Sequence, residues 1–208
     1  MKKLLIVTGP QGSGNHMWSK IFALHPEVTG WSALLDEYWI GHDQEPFADC
    51  WENIDLLKNK DWSDKDYYVT SVSCPYMLNG TATIPRIVSF AAQAMGCNLK
   101  PIIVILGRDQ NILGHQESRV RGNPTFTTAV EEYATLDSWN TTYVSYELLH
   151  LYKKQYLKQL SRLLEFPIDY NNPKVDNILK DDTNNKYFQP VEHHWVDDLA
   201  RHTSRKWR

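Results

Sequence analysis

A chain of 208 residues, 42% of them hydrophobic and 23% charged, fits one domain that buries roughly 70% of its unfolded surface without needing a disulfide or metal. Ten Gly, 10 Pro and that apolar share exclude collagen, coiled coil and wholesale disorder. A net charge of −3 gives no global mark of a nucleic-acid binder.

The opening Met1–Val7 resembles a signal peptide only briefly. Its apolar run stops at Thr8-Gly9-Pro10, too short for a signal or a membrane span, so a cytoplasmic setting without a membrane span is expected. Cys50, Cys74 and Cys97 are odd in number and widely spaced, unlike a disulfide framework or a zinc site.

Leu4–Thr8 reads as a strand buried on both faces, followed by a Gly-rich loop and a helix from about Asn15 to Leu24 that ends before His25-Pro26. Residues 30–64 read as helices and loops. Tyr67–Ser73 alternates and is β-rich. Thr83-Ile84-Pro85 opens a helix with proline near its first turn, running to Gly96-Cys97-Asn98. Pro101–Leu106 is the clearest buried strand, and a polar helix follows to about Val120. Then come a helix near Thr127–Ser138, a short strand at Thr142–Ser145 and a helix at Leu148–Leu164. Residues 170–208 read as a polar, peripheral C-terminal arm with one short helix on a single domain. Strands alternating with helices indicate a three-layer α/β domain with a mainly parallel sheet. Ligands of such sheets bind at the carboxyl ends of the strands, after Thr8, Ser73, Leu106 and Ser145.

Gly9-Pro10-Gln11-Gly12-Ser13-Gly14-Asn15-His16 has GxxxxG spacing between a strand and a helix, the context of a phosphate-binding loop. Its glycines let amides turn toward an anion, and the helix start adds partial positive charge. Asn15 and His16 stand where an NTPase has Lys and Ser/Thr. That disfavours an ordinary ATPase or kinase, and the other plain reading is a tight β–α turn.

Three segments in order resemble the sulfotransferase family. The first is Gln11–Trp18 followed by Ile21–Val28 with its His25-Pro26, similar to that family's Pro-Lys/Arg-Ser-Gly-Thr-Thr loop and His-Pro-x-Val ending. The second is Ile102–Leu106 leading into Gly107-Arg108-Asp109-Gln110. The third is Tyr143–Leu148, similar to Val-x-Tyr-Glu-Asp-Leu. The resemblance implies a P-loop NTPase-like fold of sulfotransferase type. It implies 3′-phosphoadenosine 5′-phosphosulfate as donor, no metal, and a hydroxyl or amine of a small molecule or carbohydrate as acceptor. Gly9, Gln11, Gly12, Ser13, Gly14, Asn15 and His16 would wrap the phosphosulfate, Arg108 would pair with the 3′-phosphate, and Gln116 and Ser118 would stand beside it. Gly12 falls where the family has its loop Lys, so a replacement cation is sought in Lys20, Arg119 or Arg121. Arg205-Lys206-Trp207 faintly echoes the family's C-terminal Arg-Lys-Gly.

Sulfuryl transfer needs a base at the attacking atom. Glu37 and Asp36 fall in the window that the family uses, His42 is a second candidate, and His16 would donate to the sulfuryl group. Tyr38, Trp39, Trp51, Tyr68 and Tyr76 are candidates for an acceptor pocket or for core packing. His193-His194 reads as surface rather than as a metal site. Two other readings stay open: a nucleotide or small-molecule kinase that has lost its Lys, and a non-catalytic nucleotide-binding domain.

Overall fold

The computed structural model describes residues 1–31, 45, 47–78, 81–121 and 126–187, without the side chains of 78 and 117–121. Its centre is β1 (Lys2–Pro10), whose run from Leu4 to Val7 is fully buried because both of its edges and both of its faces are covered. After β1 come α1 (Asn15–Ala23), β2 (Val28–Thr29), α2 (Ala48–Glu52), β3 (Tyr67–Cys74), β4 (Tyr76–Leu78) and β5 (Thr81–Thr83). The chain continues through α3 (Ile87–Gly96), β6 (Leu99–Gly107), α4 (Gln110–Arg121), α5 (Phe126–Ala134), β7 (Thr141–Ser145), α6 (Tyr146–Leu164) and α7 (Pro173–Lys180).

Among the described residues five strands form one parallel sheet in the order β2-β3-β1-β6-β7. Parallel pairing places β1 between β3 and β6, with Gly9 level with Ser73 and Thr8 level with Ile105. The loops after β1, β3 and β6 therefore emerge side by side.

Alternate residues of each strand feed two cores. Leu5, Val7, Val69, Val104 and Val144 pack with α1, α6 and α7 through Trp18, Phe22, Leu157, Leu160 and Val175. Leu4, Ile6, Tyr68, Val72 and Ile105 pack on the other face with Trp51, Phe90, Ala91 and Tyr133. This is the expected three-layer α/β architecture, helices on both faces of a mainly parallel sheet.

Several local expectations need correction. The helix assigned from Thr83 starts at Ile87, and Thr83 instead belongs to β5, which pairs antiparallel with β4. Asn79-Gly80 between those two runs is a strong hairpin signal in the sequence. Strand β2 covers two residues, too few for a periodicity to register. Of the two readings open for Trp51 and Tyr68, core packing is the one seen. Trp51 stacks on Phe90 at 3.8 Å between centroids, and Tyr68 is fully buried with its hydroxyl on Asp64. Within residues 170–187 the expected short helix is α7, whose Val175 and Leu179 are buried in the core shared with α6. No helix among the described residues is long and apolar enough to cross a membrane.

Candidate functional site

The glycine loop leaves β1 under tight constraint. A Cβ on Gly9 would lie 2.2 Å from Ser13 Oγ and 2.8 Å from Leu106 Cβ, so only glycine lets the loop fold back against β6. The turn closes with the Ser13 N–H donating to the Pro10 carbonyl at 3.0 Å. Gly12 and Gly14 hold φ of +90° and +97°, left-handed conformations that L side chains adopt only with strain. Gly14 caps α1 from there, without a side-chain cap. Trp18 N–H makes the first helical bond, to the Gly14 carbonyl at 3.0 Å. By helix geometry the first-turn amides of residues 15–17 then have no carbonyl within the helix, and they add to its positive end.

Side chains tie this loop to the end of β3. Asn15 Nδ2 donates to Ser73 Oγ at 2.6 Å, and Gln11 Nε2 donates to the Pro75 carbonyl at 2.8 Å. Three buried acceptors in the same loop, Gln11 Oε1, Ser13 Oγ and Asn15 Oδ1, have no hydrogen-bond partner among the described residues. Unsatisfied buried polar groups are rare in a core and common where a ligand or water completes the site. The His16 ring lies 4.9 Å from that of Trp31, tilted by 37°.

Arg108 follows the last residue of β6 and reaches across to the loop. Its Nη1 donates to the Gly12 carbonyl at 2.7 Å and to Gln116 Oε1 at 3.2 Å. Nε donates to Asn184 Oδ1 at 2.7 Å and Nη2 to Thr183 Oγ1 at 3.1 Å. The guanidinium lies 4.6 Å from the centre of the Tyr146 ring and 5.7 Å from that of Tyr187, a cation between two aromatic rings.

The neighbours of Arg108 are fixed in turn. Asp109 Oδ1 accepts the N–H groups of Asn111 and Ile112 and so starts α4. Glu147 Oε1 accepts Asp109 N–H at 2.9 Å and Asn184 Nδ2 at 3.2 Å, joining α6, α4 and the arm. Tyr146 shares a hydrogen with Thr183 Oγ1 at 2.7 Å, and its hydroxyl accepts Thr183 N–H at 3.0 Å. Burial pushes the Tyr146 phenol above its ordinary range and holds the adjacent His150 below its own.

The structure thus brings together Gly9, Gln11, Gly12, Ser13, Gly14, Asn15, His16, Arg108 and Gln116. Lys20 is in the last turn of α1, at the far end from the loop. The side chains of Ser118, Arg119 and Arg121 lie outside the described residues, as do Asp36, Glu37, Tyr38, Trp39, His42, His193, His194, Arg205, Lys206 and Trp207. Thr183 and Asn184 escaped the sequence reading, and Tyr146 entered it only within the Tyr143–Leu148 segment, with no role at the site. Only the third dimension brings a polar turn onto an arginine 75 positions earlier.

Glu45 is a second omission. It is buried, and its carboxyl accepts Thr70 Oγ1–H at 2.7 Å and the Ser71 N–H, while Trp51 Nε1 donates to the same threonine oxygen at 3.0 Å. Strand β2 pairs only with Tyr67 and Tyr68 of β3, so Glu45 takes a backbone donor on the part of that edge which β2 leaves open. Burial pushes its pKa up to about 8, against the two hydrogen bonds that favour the ion. Burial likewise pushes the thiols of Cys50 and Cys74 up to about 12, which leaves them inert at neutral pH. Among the described residues no group of three His, Cys, Asp or Glu side chains is arranged to hold a metal.

No family model matches the chain, and no curated protein matches it either. Among solved structures it is similar to retinol dehydratase in complex with androsterone and the inactive cofactor PAP. Identity is 13%, the match covers 85% of this chain and 63% of that one, and the TM-score is 0.39. The chain therefore spans less than two thirds of that protein's length, and a likeness this low carries over neither a site nor a chemistry.

Proposed function

We propose that the protein is a transferase of the sulfotransferase type, whose loop 9–16 and Arg108 hold the phosphate groups of 3′-phosphoadenosine 5′-phosphosulfate. The observation that supports this best is the convergence of three positive elements at one end of the sheet. They are the start of α1, the left-handed glycine loop and the Arg108 guanidinium 2.7 Å from the Gly12 carbonyl. The orphaned Ser13 Oγ fits such a ligand, since a hydroxyl can turn its proton toward an oxyanion.

When bound, the phosphosulfate supplies a sulfuryl group that is activated for attack and leaves charge on the bridging oxygen. The first-turn amides of α1 stand ready for that charge, and the bond to Ser73 holds the Asn15 amide at the loop. His16, kept in place by Trp31, is a further donor there. Glu37, with Asp36 or His42 as alternatives, takes the acceptor's proton in this reading. The acceptor is a hydroxyl or amine of a small molecule or carbohydrate.

Among the described residues the carboxyl end of β3, beside the loop, carries Ser71, Ser73 and Cys74 and no carboxylate. Magnesium in nucleotide kinases is held by carboxylates and phosphates; the carboxylates nearest Arg108, Asp109 and Glu147, already accept protein donors, which favours a metal-free phosphosulfate over magnesium ATP. A second reading, nucleotide binding without catalysis, draws on Gly12. A glycine at that position removes the loop cation, and loss of one such donor costs about 10²–10³ in rate.

The test is release of adenosine 3′,5′-bisphosphate from the phosphosulfate donor across a panel of hydroxyl and amine acceptors. Turnover that is lost in Asn15→Ala supports the transferase. Donor binding without turnover on any acceptor supports the binding domain.

A further inference from the structure

An arginine fork recognises an oxyanion through two parallel N–H groups, one on Nε and one on an Nη nitrogen. On Arg108 that edge is already filled. Nε donates to Asn184 Oδ1 and Nη2 to Thr183 Oγ1, two oxygens from consecutive residues of the short turn at Thr183–Lys186. The opposite nitrogen is held by the Gly12 carbonyl and Gln116. Four of the five guanidinium N–H groups are thus committed to protein acceptors. A phosphate cannot take the Nε–Nη2 edge while Thr183 and Asn184 occupy it.

The segment that fills the fork is held mainly by polar bonds at this site. Thr183 is bound to Tyr146, and Asn184 is bound to Glu147. Within residues 181–187 only Asn184 and Tyr187 are buried, the remainder being half-buried or exposed. Apart from Tyr187, whose ring lies against Arg108 and His115, the segment buries little apolar surface, and such segments lie at the low-stability end of a fold. It also carries Asp181 and Asp182, and Asp182 is near enough to act on both Tyr146 and His150. An anion at Arg108 would repel these carboxylates.

We propose that Thr183 Oγ1 and Asn184 Oδ1 stand in for an oxyanion on the Arg108 fork, and that a phosphate ester enters only by displacing segment 181–187. The strap thereby gates the donor site. This rests on the donor reading for the identity of the ester, whereas the exchange itself requires only an oxyanion.

The strap lowers apparent affinity by the fraction of molecules in which the fork is open. Removing its acceptors with Thr183→Val and Asn184→Leu should therefore tighten anion binding by roughly tenfold. The experiment combines calorimetry with amide hydrogen exchange over 181–187, on the full chain alone, with adenosine 3′,5′-bisphosphate, and with inorganic phosphate. Exchange in the wild-type protein needs no variant to fold. Faster exchange on adding either anion, with tighter binding to the double variant, is the expected result.

Slower exchange, or weaker binding to the folded variant, would make the strap part of the binding site and overturn the proposal. Unchanged exchange with measurable heat of binding would also overturn it. If the bisphosphate gives no heat while phosphate loosens the strap, the donor reading fails and the strap proposal stands. If neither anion binds the wild-type protein or the variants, the fork is no oxyanion site and the proposal fails.

Discussion

Arg108 donates from Nη1 to the carbonyl of Gly12 at 2.7 Å, closing a contact across 96 residues between the end of β6 and the loop after β1. Parallel pairing of β1 with β6 makes this contact possible, because it brings both strand ends out at the same level. The guanidinium therefore orders the loop as well as charging it.

Arg108→Ala should abolish measurable binding of adenosine 3′,5′-bisphosphate and lower stability. Each hydrogen bond lost from a charged group is worth about 1.5–3 kcal/mol, and Asn184 and Thr183 lose their donor at the same time. Arg108→Lys should not restore binding, since an ammonium cannot serve acceptors in the plane of a fork. Calorimetric titration of both variants, alongside thermal melts, reads out the two effects separately.

Introducing a loop cation by Gly12→Lys should fail. Gly12 has φ +90°, and a Cβ there would come within 2.9 Å of Gln116 Oε1. A non-glycine residue in the left-handed region costs about 1–2 kcal/mol before any clash. A melting temperature lower by several degrees, with no gain in turnover, is the expected outcome. A large gain in activity at unchanged stability would mean that the loop adopts another conformation when the donor binds.

Stability should fall as pH rises from about 4.5 to about 8, on account of Glu45. Its carboxyl ionises near 4.5 when exposed and only near 8 in the fold. Between those values the unfolded chain has released a proton that the folded chain retains, so the native state loses ground as pH increases. The loss amounts to a few kcal/mol at the upper end. Glu45→Gln keeps an acceptor for Thr70 and Ser71 and should flatten this part of the profile. Denaturant melts at pH 5 and pH 8 give the slope, and identical slopes for both proteins would remove Glu45 as its source.

Asn15→Ala should cut turnover by about 10²–10³, the usual effect of losing one donor to developing charge. Ser73→Ala, which removes only the partner that holds Asn15 in place, should cost less. In the double variant the two effects should not add, because Ser73 acts through Asn15. Full additivity would mean that Ser73 touches the substrate independently.

The sheet was legible because its central strands are written as continuous apolar runs. Leu4–Thr8 and Pro101–Leu106 suit strands covered on both faces, short apolar runs closed by glycine, and the glycine spacing between β1 and α1 located the loop. Arg108 and Gln116 were legible from their place after β6 and from the resemblance. Thr183 and Asn184 were not, because nothing local distinguishes a polar turn that docks on an arginine from one in solvent. Glu45 was hidden for a related reason. A glutamate is normally exposed, and its burial depends on how far β2 extends along β3. The β4–β5 hairpin is different, since its Asn-Gly signal stands in the sequence.

The central claim is that loop 9–16 and Arg108 form a donor phosphate site independent of metal. Calorimetric titration with adenosine 3′,5′-bisphosphate, and in parallel with ATP plus magnesium, tests it most directly in the wild-type protein and in Arg108→Ala. Binding of the bisphosphate without magnesium, lost in Arg108→Ala, with little affinity for ATP, is the expected result. Tight magnesium-dependent ATP binding with none for the bisphosphate would contradict it and point to a kinase-like site.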